Sequence, residues 1–323
     1  MQDSIIDSQL LLKHKIINFI HSILLFAGMV MLLGFLGWSI AGKEGLKWTL
    51  FMGILMLIFG PRISPNLILL LYGARPLLRE EVPVLFSVVE KLSRRAGLDY
   101  APRLYYISTI IPNAFTTGTK RDAVITVTAG LLESLSLREI AGVIAHEISH
   151  IKHNDIWIMN LSDIISRLTS VFSITGQFLL FLNLPFILFT EYKIPWLTVF
   201  ILIFAPTISM LLQLALSRTR EFDADLGAAM LTGDPEGLAM ALAKMEKHQS
   251  SLFYRIFFPG YKEPYPSLLR THPSTEERIK RLMSLVKRIP SYEPLYEAIE
   301  YLIPQHLISI SKKPKWRIGG LWY

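Results

Sequence analysis

With 323 residues the chain is long enough for one large domain, or for a membrane anchor joined to a catalytic domain. Apolar residues make up 51% and charged residues only 18%, below the roughly 25% usual for soluble domains, so the balance points to a bilayer. The net charge of +7 comes without a basic run interleaved with stacking aromatics, which argues against a nucleic-acid partner; the absence of cysteine excludes disulfides and thiolate metal ligands.

From Ile16 to Gly42 there is no formal charge, and Lys15 and Lys43 close the run. It exceeds the roughly 20 residues a helix needs to cross about 30 Å of hydrocarbon. No small-residue cleavage site follows it, so it reads as an anchor and not as a signal peptide. A second span is interrupted: Trp48 to Gly60 is apolar, Pro61 and Arg62 intervene, and Ile63 to Ala74 continues uncharged. The expectation is a kinked helix with Arg62 snorkelling or facing protein, a half-inserted segment being the alternative.

Arg75 to Asp155 reads as soluble. Glu80 to Arg95 has helical periodicity and stops at Gly97, while Arg103–Ser108, Asn113–Thr117 and Ala123–Thr128 have the Val, Ile, Tyr and Thr content of short strands. Ser136-Leu137-Arg138-Glu139 is a capping box opening a helix that carries His146-Glu147-Ile148-Ser149-His150. Leu168 to Thr190 and Ile194 to Ser217 are again uncharged and only Glu191-Tyr192-Lys193 separates them, which predicts a transmembrane hairpin. Gln177, Asn183 and Gln213 are too few to give these helices the polar stripe of a soluble pair. A helix is expected from Ser217 through Met230 and another over Pro235–Lys247. Ser251 to Leu269 reads as loop, and Ser274-Thr275-Glu276-Glu277 is a second capping box before a basic helix reaching about Lys287.

On a helix, His146 and His150 are one turn apart on the same face, so both imidazoles can bind one metal ion. Glu147, rotated by about 100°, stands beside the open coordination position, where a carboxylate can take a proton from an activated water and return it to a leaving amine. Chance alone would supply this pattern in about one protein of such composition in a hundred, so further ligands decide. The metzincin continuation needs Gly at 153 and His at 156, and the chain has His153 and Ile156. A gluzincin arrangement needs a downstream Glu, for which Glu221 is the best candidate. Asp225, one turn later, could accept a hydrogen bond from a ligating histidine. His150 and Glu221 can meet only if an even number of spans separates them, and two are offered. Lys13, Lys15, Arg75, Arg79, Arg94, Arg95, Arg218 and Arg220 then share the face of the site, against Lys43, Lys47 and Lys193 opposite, so the positive-inside rule makes that face cytoplasmic.

Asn113-Ala114-Phe115, the helix from Glu139 to Asp155, Ser217 to Asp225, and Arg270-Thr271-His272-Pro273-Ser274-Thr275-Glu276-Glu277-Arg278 together resemble the HtpX-type membrane zinc metalloproteases. These are relatives of the CAAX prenyl protease and of mitochondrial inner-membrane quality-control metalloproteases. The resemblance covers the chain to about Lys287. It implies that His146, His150 and Glu221 bind one zinc ion, that Glu147 is the general base, and that misfolded or damaged membrane proteins, or unfolded polypeptides, are cleaved in the plasma membrane of a prokaryote. It also implies that His272 stabilises the oxyanion and that Asn113 aligns the substrate backbone along an edge strand.

The expected architecture is mainly α with a small mixed β-sheet: four transmembrane helices and a gluzincin-type zinc metalloprotease domain. It divides into a two-span anchor (1–75), a first catalytic part (76–167), a transmembrane hairpin (168–217), a second catalytic part (218–289) and a tail (290–323). The rival readings are a CAAX-type prenyl-protein endopeptidase, an intramembrane protease and a zinc-stabilised scaffold without activity. An intramembrane site would bury Arg138, Glu139, Lys152 and Asp155 in lipid at several kcal/mol each. A scaffold would have no need of Glu147.

Overall fold

The computed structural model describes residues 8–59, 65–189, 196–257 and 274–285. His272, the tail 290–323 and the Pro61–Arg62 interruption lie outside them. The elements in chain order are α1 (Ser8–Phe59), α2 (Pro65–Leu71), β1 (Arg75–Pro76), α3 (Pro83–Ala96), β2 (Arg103–Ile107), β3 (Ala114–Thr117), β4 (Val124–Thr128), α4 (Ala129–Ser134), α5 (Leu137–His153), α6 (Asp155–Phe189), α7 (Trp196–Thr232), α8 (Pro235–Phe257) and α9 (Thr275–Leu285). The mainly helical class with a small mixed sheet is therefore as the sequence predicts. One difference is local: 251–257, read as loop, continues α8.

The chain divides into two compact units, one holding residues 65–156 and the described chain from 221 on, the other built on α1 and on residues 157–220. In the first, four strands form a sheet in the order β1-β2-β4-β3, antiparallel at both edges and parallel between β2 and β4. Among the described residues β3 is an edge strand, so one row of its backbone groups has no strand partner there. Helix α5 packs on this sheet and against α3 and α8. Leu92, Ile125, Leu131, Ile144, Ile148 and Leu238 are fully buried in the shared core. The start of α5 follows from its capping box: Ser136 Oγ accepts from the Glu139 N–H, and the Glu139 carboxylate accepts from the Ser136 N–H at 2.7 Å. Burial opposes the charge of Glu139, yet the Lys244 ammonium and the Ser136 donors hold its pKa below the usual carboxylate value.

In the second unit, three helices among the described residues are long and apolar enough to cross a membrane: Ile16–Leu55, Asp155–Pro185 and Trp196–Thr232. Phe19, Met31, Ile174, Phe181 and Leu197 lie exposed on them, an apolar surface that water does not tolerate and lipid does. Helix α1 is not one rod. Ala41 (φ −138°) and Gly42 (φ 59°, ψ −139°) are non-helical, a conformation open to glycine. A Cβ at Gly37 would lie 2.8 Å from the Gly45 carbonyl oxygen. In a straight helix these residues would be about 12 Å apart along the axis, so the two arms of α1 fold back on each other at Gly42. The break falls where the uncharged run ends, just before Lys43.

Helices α6 and α7 are joined by a different device. Pro206 sits inside α7 and has no N–H, which leaves the Leu202 carbonyl without its helical partner. Ser173 Oγ donates to that carbonyl, and Gln177 Nε2 donates to it at 3.1 Å. Two polar side chains one turn apart on α6 thus satisfy the backbone group that the proline freed, as an apolar surrounding demands.

Candidate metal centre

Helix α5 presents His146 and His150 one turn apart, with their rings edge to face and centroids 4.7 Å apart. Helix α7 brings Glu221 and Asp225 onto the same spot. The approach is close because of Gly227, where a Cβ would lie 3.0 Å from the Ser149 Cβ on α5. Among the described residues, His146, His150 and Glu221 form a group whose ligand atoms all lie within 4.8 Å of one another. His146 Nε2 is 3.1 Å from His150 Nε2 and 3.4 Å from Glu221 Oε2, and His150 Nε2 is 3.9 Å from Glu221 Oε1. Ligands held about 2.0–2.1 Å from a tetrahedral ion stand about 3.3 Å apart, so the donor spacing suits a metal ion.

Both rings are oriented from behind. Asp225 Oδ1 accepts from His146 Nδ1 at 3.0 Å, and Asp155 Oδ2 accepts from His150 Nδ1 at 2.8 Å. Because a carboxylate only accepts, each Nδ1 donates, and each Nε2 is left facing the shared point as the atom a metal ion would take. Two ring nitrogens and a carboxylate then converge on one point, a donor set that a cation would satisfy. Without a cation, burial works against a charged His146, but the hydrogen bonds to Asp225 and Glu221 outweigh it and raise the pKa of the ring well above the usual imidazole value.

Two further residues complete the site. Arg278, on α9, is buried and donates to both oxygens of Asp225, from Nε at 2.8 Å and from Nη2 at 2.6 Å; its Nη1 reaches Glu221 at 3.0 Å. Although burial opposes its charge, these carboxylates hold the guanidinium protonated. Glu147 is buried beside the cluster, and its Oε2 accepts from the Thr116 hydroxyl on β3 at 2.7 Å. Asn113 is exposed at the start of β3, its N–H donating to Thr128 Oγ1 at 2.9 Å and its carbonyl accepting from the Thr128 N–H at 3.1 Å.

Of the residues singled out from sequence, His146, His150, Glu221 and Asp225 meet at one point, with Glu147 beside them on α5 and Asn113 just before the strand that reaches it. Sequence reading missed three others. Asp155 read as the end of the helix, but Asn154 adopts the left-handed conformation (φ 58°) and turns the chain so that Asp155 returns under His150. An Asn just past a helix is the signal that hints at such a turn. Thr116 and Arg278 reach the site from distant parts of the chain and leave no local trace.

A His-Glu-x-x-His helix joined by a carboxylate from a later helix, with its own Glu147 beside the cluster, is the pattern of a metalloprotease. The sequence profile of peptidase family M48 matches residues 80–286, and the chain belongs to that family. It is 34% identical over 289 residues to the "Protease HtpX homolog" of Ralstonia nicotianae, covering 84% of this chain and 97% of that relative. To the protein of the same name from Paraburkholderia phytofirmans it is 34% identical over 283 residues, covering 84% and 98%. Among solved structures it is similar to Ste24p of S. mikatae, with 23% identity and a TM-score of 0.49 over 84% of this chain and 67% of that one.

Proposed function

We propose that this chain is a zinc-dependent endopeptidase that hydrolyses peptide bonds of misfolded or damaged membrane proteins at the cytoplasmic face of the membrane. The observation that carries the reading is the convergence of two Nε2 acceptors and the Glu221 carboxylate, each ring locked by its own aspartate. His146, His150 and Glu221 would hold the zinc. When bound, the ion supplies Lewis acidity, polarising a carbonyl and bringing the pKa of water toward about 7.

The chain's own residues do the rest. Glu147, oriented by the Thr116 hydroxyl, takes the proton of the attacking water and delivers it to the leaving amine. The unpartnered edge of β3 adds a substrate segment as a further strand, beginning at Asn113. His272 precedes α9 by three residues and is the candidate donor to the oxyanion. The fold-back of α1 together with α6 and α7 supports four crossings, and the catalytic domain would be assembled from 76–167 and 218–289. An even number of crossings between His150 and Glu221 is what their meeting requires.

The test is metal analysis of the detergent-purified protein together with casein cleavage, with and without a chelator. Wild type is expected to hold one zinc per chain and to lose cleavage on chelation. Glu147→Gln is expected to keep the zinc and lose cleavage, and Glu221→Ala to lose most of the zinc. Cleavage by Glu147→Gln at the wild-type rate sinks the mechanism. Zinc without any cleavage in wild type identifies a scaffold.

A further inference from the structure

Helix α2 has the sequence Pro65-Asn66-Leu67-Ile68-Leu69-Leu70-Leu71, and only Leu69 is buried in the protein. Leu70 and Leu71 are each 76% exposed, Leu67 50% and the following Tyr72 62%. This apolar face is not a loose end. The Ala74 N–H donates to the Leu69 carbonyl at 2.8 Å, Arg75 and Pro76 enter the sheet as β1 beside β2, and the Tyr72 ring sits 5.4 Å from that of Phe115 on β3. The neighbouring residues of β3 are those of the site, since Thr116 carries the hydrogen bond to Glu147.

Chain continuity says what covers α2. Helix α1 ends at Phe59 and α2 begins at Pro65, and the link between them can reach about 20 Å at most. A row of leucines so close to the end of a membrane helix has the bilayer within reach. Tyrosine, apolar in body and polar at its tip, suits the boundary between acyl chains and headgroups.

We propose that α2 lies in the membrane surface, with Leu67, Leu70 and Leu71 among the lipid chains and Tyr72 at headgroup level, and so fixes strand β3 at the membrane–water boundary. The occupant of this face is lipid. The consequence for substrate rests on the proteolytic reading above. The segment that β3 receives is the stretch of a membrane protein just emerging from the bilayer, in preference to one far out in solution.

The chain has no cysteine, so single replacements place a label unambiguously. A nitroxide on Leu70→Cys or Leu71→Cys in reconstituted vesicles is expected to collide with dissolved oxygen and to be shielded from a water-soluble nickel complex. The same label on Glu133→Cys, exposed on α4, is expected to show the reverse. Access of nickel to the Leu71 label overturns the proposal. Shielding from both reagents also overturns it, and assigns the face to protein, either the chain's own residues 286–323 or a second copy. Leu70→Glu with Leu71→Glu is expected to lower the rate on a bilayer-inserted substrate relative to a soluble peptide of the same cleavage sequence by about tenfold. An unchanged ratio overturns the substrate consequence alone. Failure of wild type to cleave either substrate overturns the proteolytic reading, while the nitroxide measurement still decides the position of α2.

Discussion

Asp155 and Arg278 stand behind the candidate metal-binding atoms, and each can be probed separately. Asp155 Oδ2 holds the Nδ1–H of His150 from a position that is 2% exposed. Loss of such a partner costs about 10–100-fold in metal affinity, because the ring loses both its tautomer and its orientation. Asp155→Ala is therefore expected to weaken zinc binding by that factor, measured by competition with a chromophoric chelator. An unchanged affinity would mean that α5 alone orients His150. Arg278 answers to a different balance. It neutralises Asp225 and Glu221 in a buried setting, and removing one partner of a buried pair costs about 3–5 kcal/mol. A bound divalent cation supplies part of the missing charge. Arg278→Met should accordingly lower the melting temperature of the metal-free protein more than that of the zinc-loaded protein, so the gap between the two widens. Equal lowering in both forms would show that Arg278 acts only through the packing of α9.

Among the elements, the crossing of α7 over α5 brings Glu221 to His146 and His150. At Gly227 any side chain would collide with Ser149 Oγ on α5. Overpacking of this kind costs about 1–3 kcal/mol, and here it also pushes Glu221 and Asp225 away from the histidines. Gly227→Val is thus expected to reduce both stability and zinc content, and Gly227→Ala to do so less. Full zinc retention in the valine variant, by metal analysis, would separate the crossing from the site. What was legible in the sequence divides along the same line. Local signals were readable: the Ser136–Glu139 box placed the start of α5, Gly97 the end of α3, and the last uncharged residue before Lys43 the fold-back of α1. Features made by long-range closure were not. The Thr116–Glu147 bond joins residues 31 apart and the Arg278–Asp225 pair residues 53 apart, and no periodicity records either meeting. Helix α2 falls between these cases. Its composition spoke for membrane, but that Arg75 and Pro76 continue directly into the sheet is visible only in the structure.

At the scale of the whole molecule, the sidedness of the candidate site depends on how many times the chain crosses the bilayer before it. The weak point is the second arm of α1. From Lys43 to Phe59 it extends about 26 Å, slightly short of the roughly 30 Å hydrocarbon core, whereas the first arm from Ile16 to Ile40 extends about 37 Å. The second arm also begins with Lys43, Glu44 and Lys47, the last two joined in an exposed pair at 2.6 Å. These charges belong at a membrane surface, which leaves the arm to cross from there with little length to spare. If it crosses, Lys47 and Glu133 are expected on opposite sides of the membrane. An impermeant maleimide applied to sealed right-side-out vesicles discriminates the two arrangements in this cysteine-free chain. Lys47→Cys is expected to react from outside and Glu133→Cys only after permeabilisation. Reaction of both from the same side would remove the crossing of the second arm, and with it the four-span topology and the cytoplasmic site. The positive charges favour the first result, since Arg75, Arg79, Arg94 and Arg95 lie on the same stretch of chain as the site, whereas the turn at Gly42 carries Lys43 and Lys47.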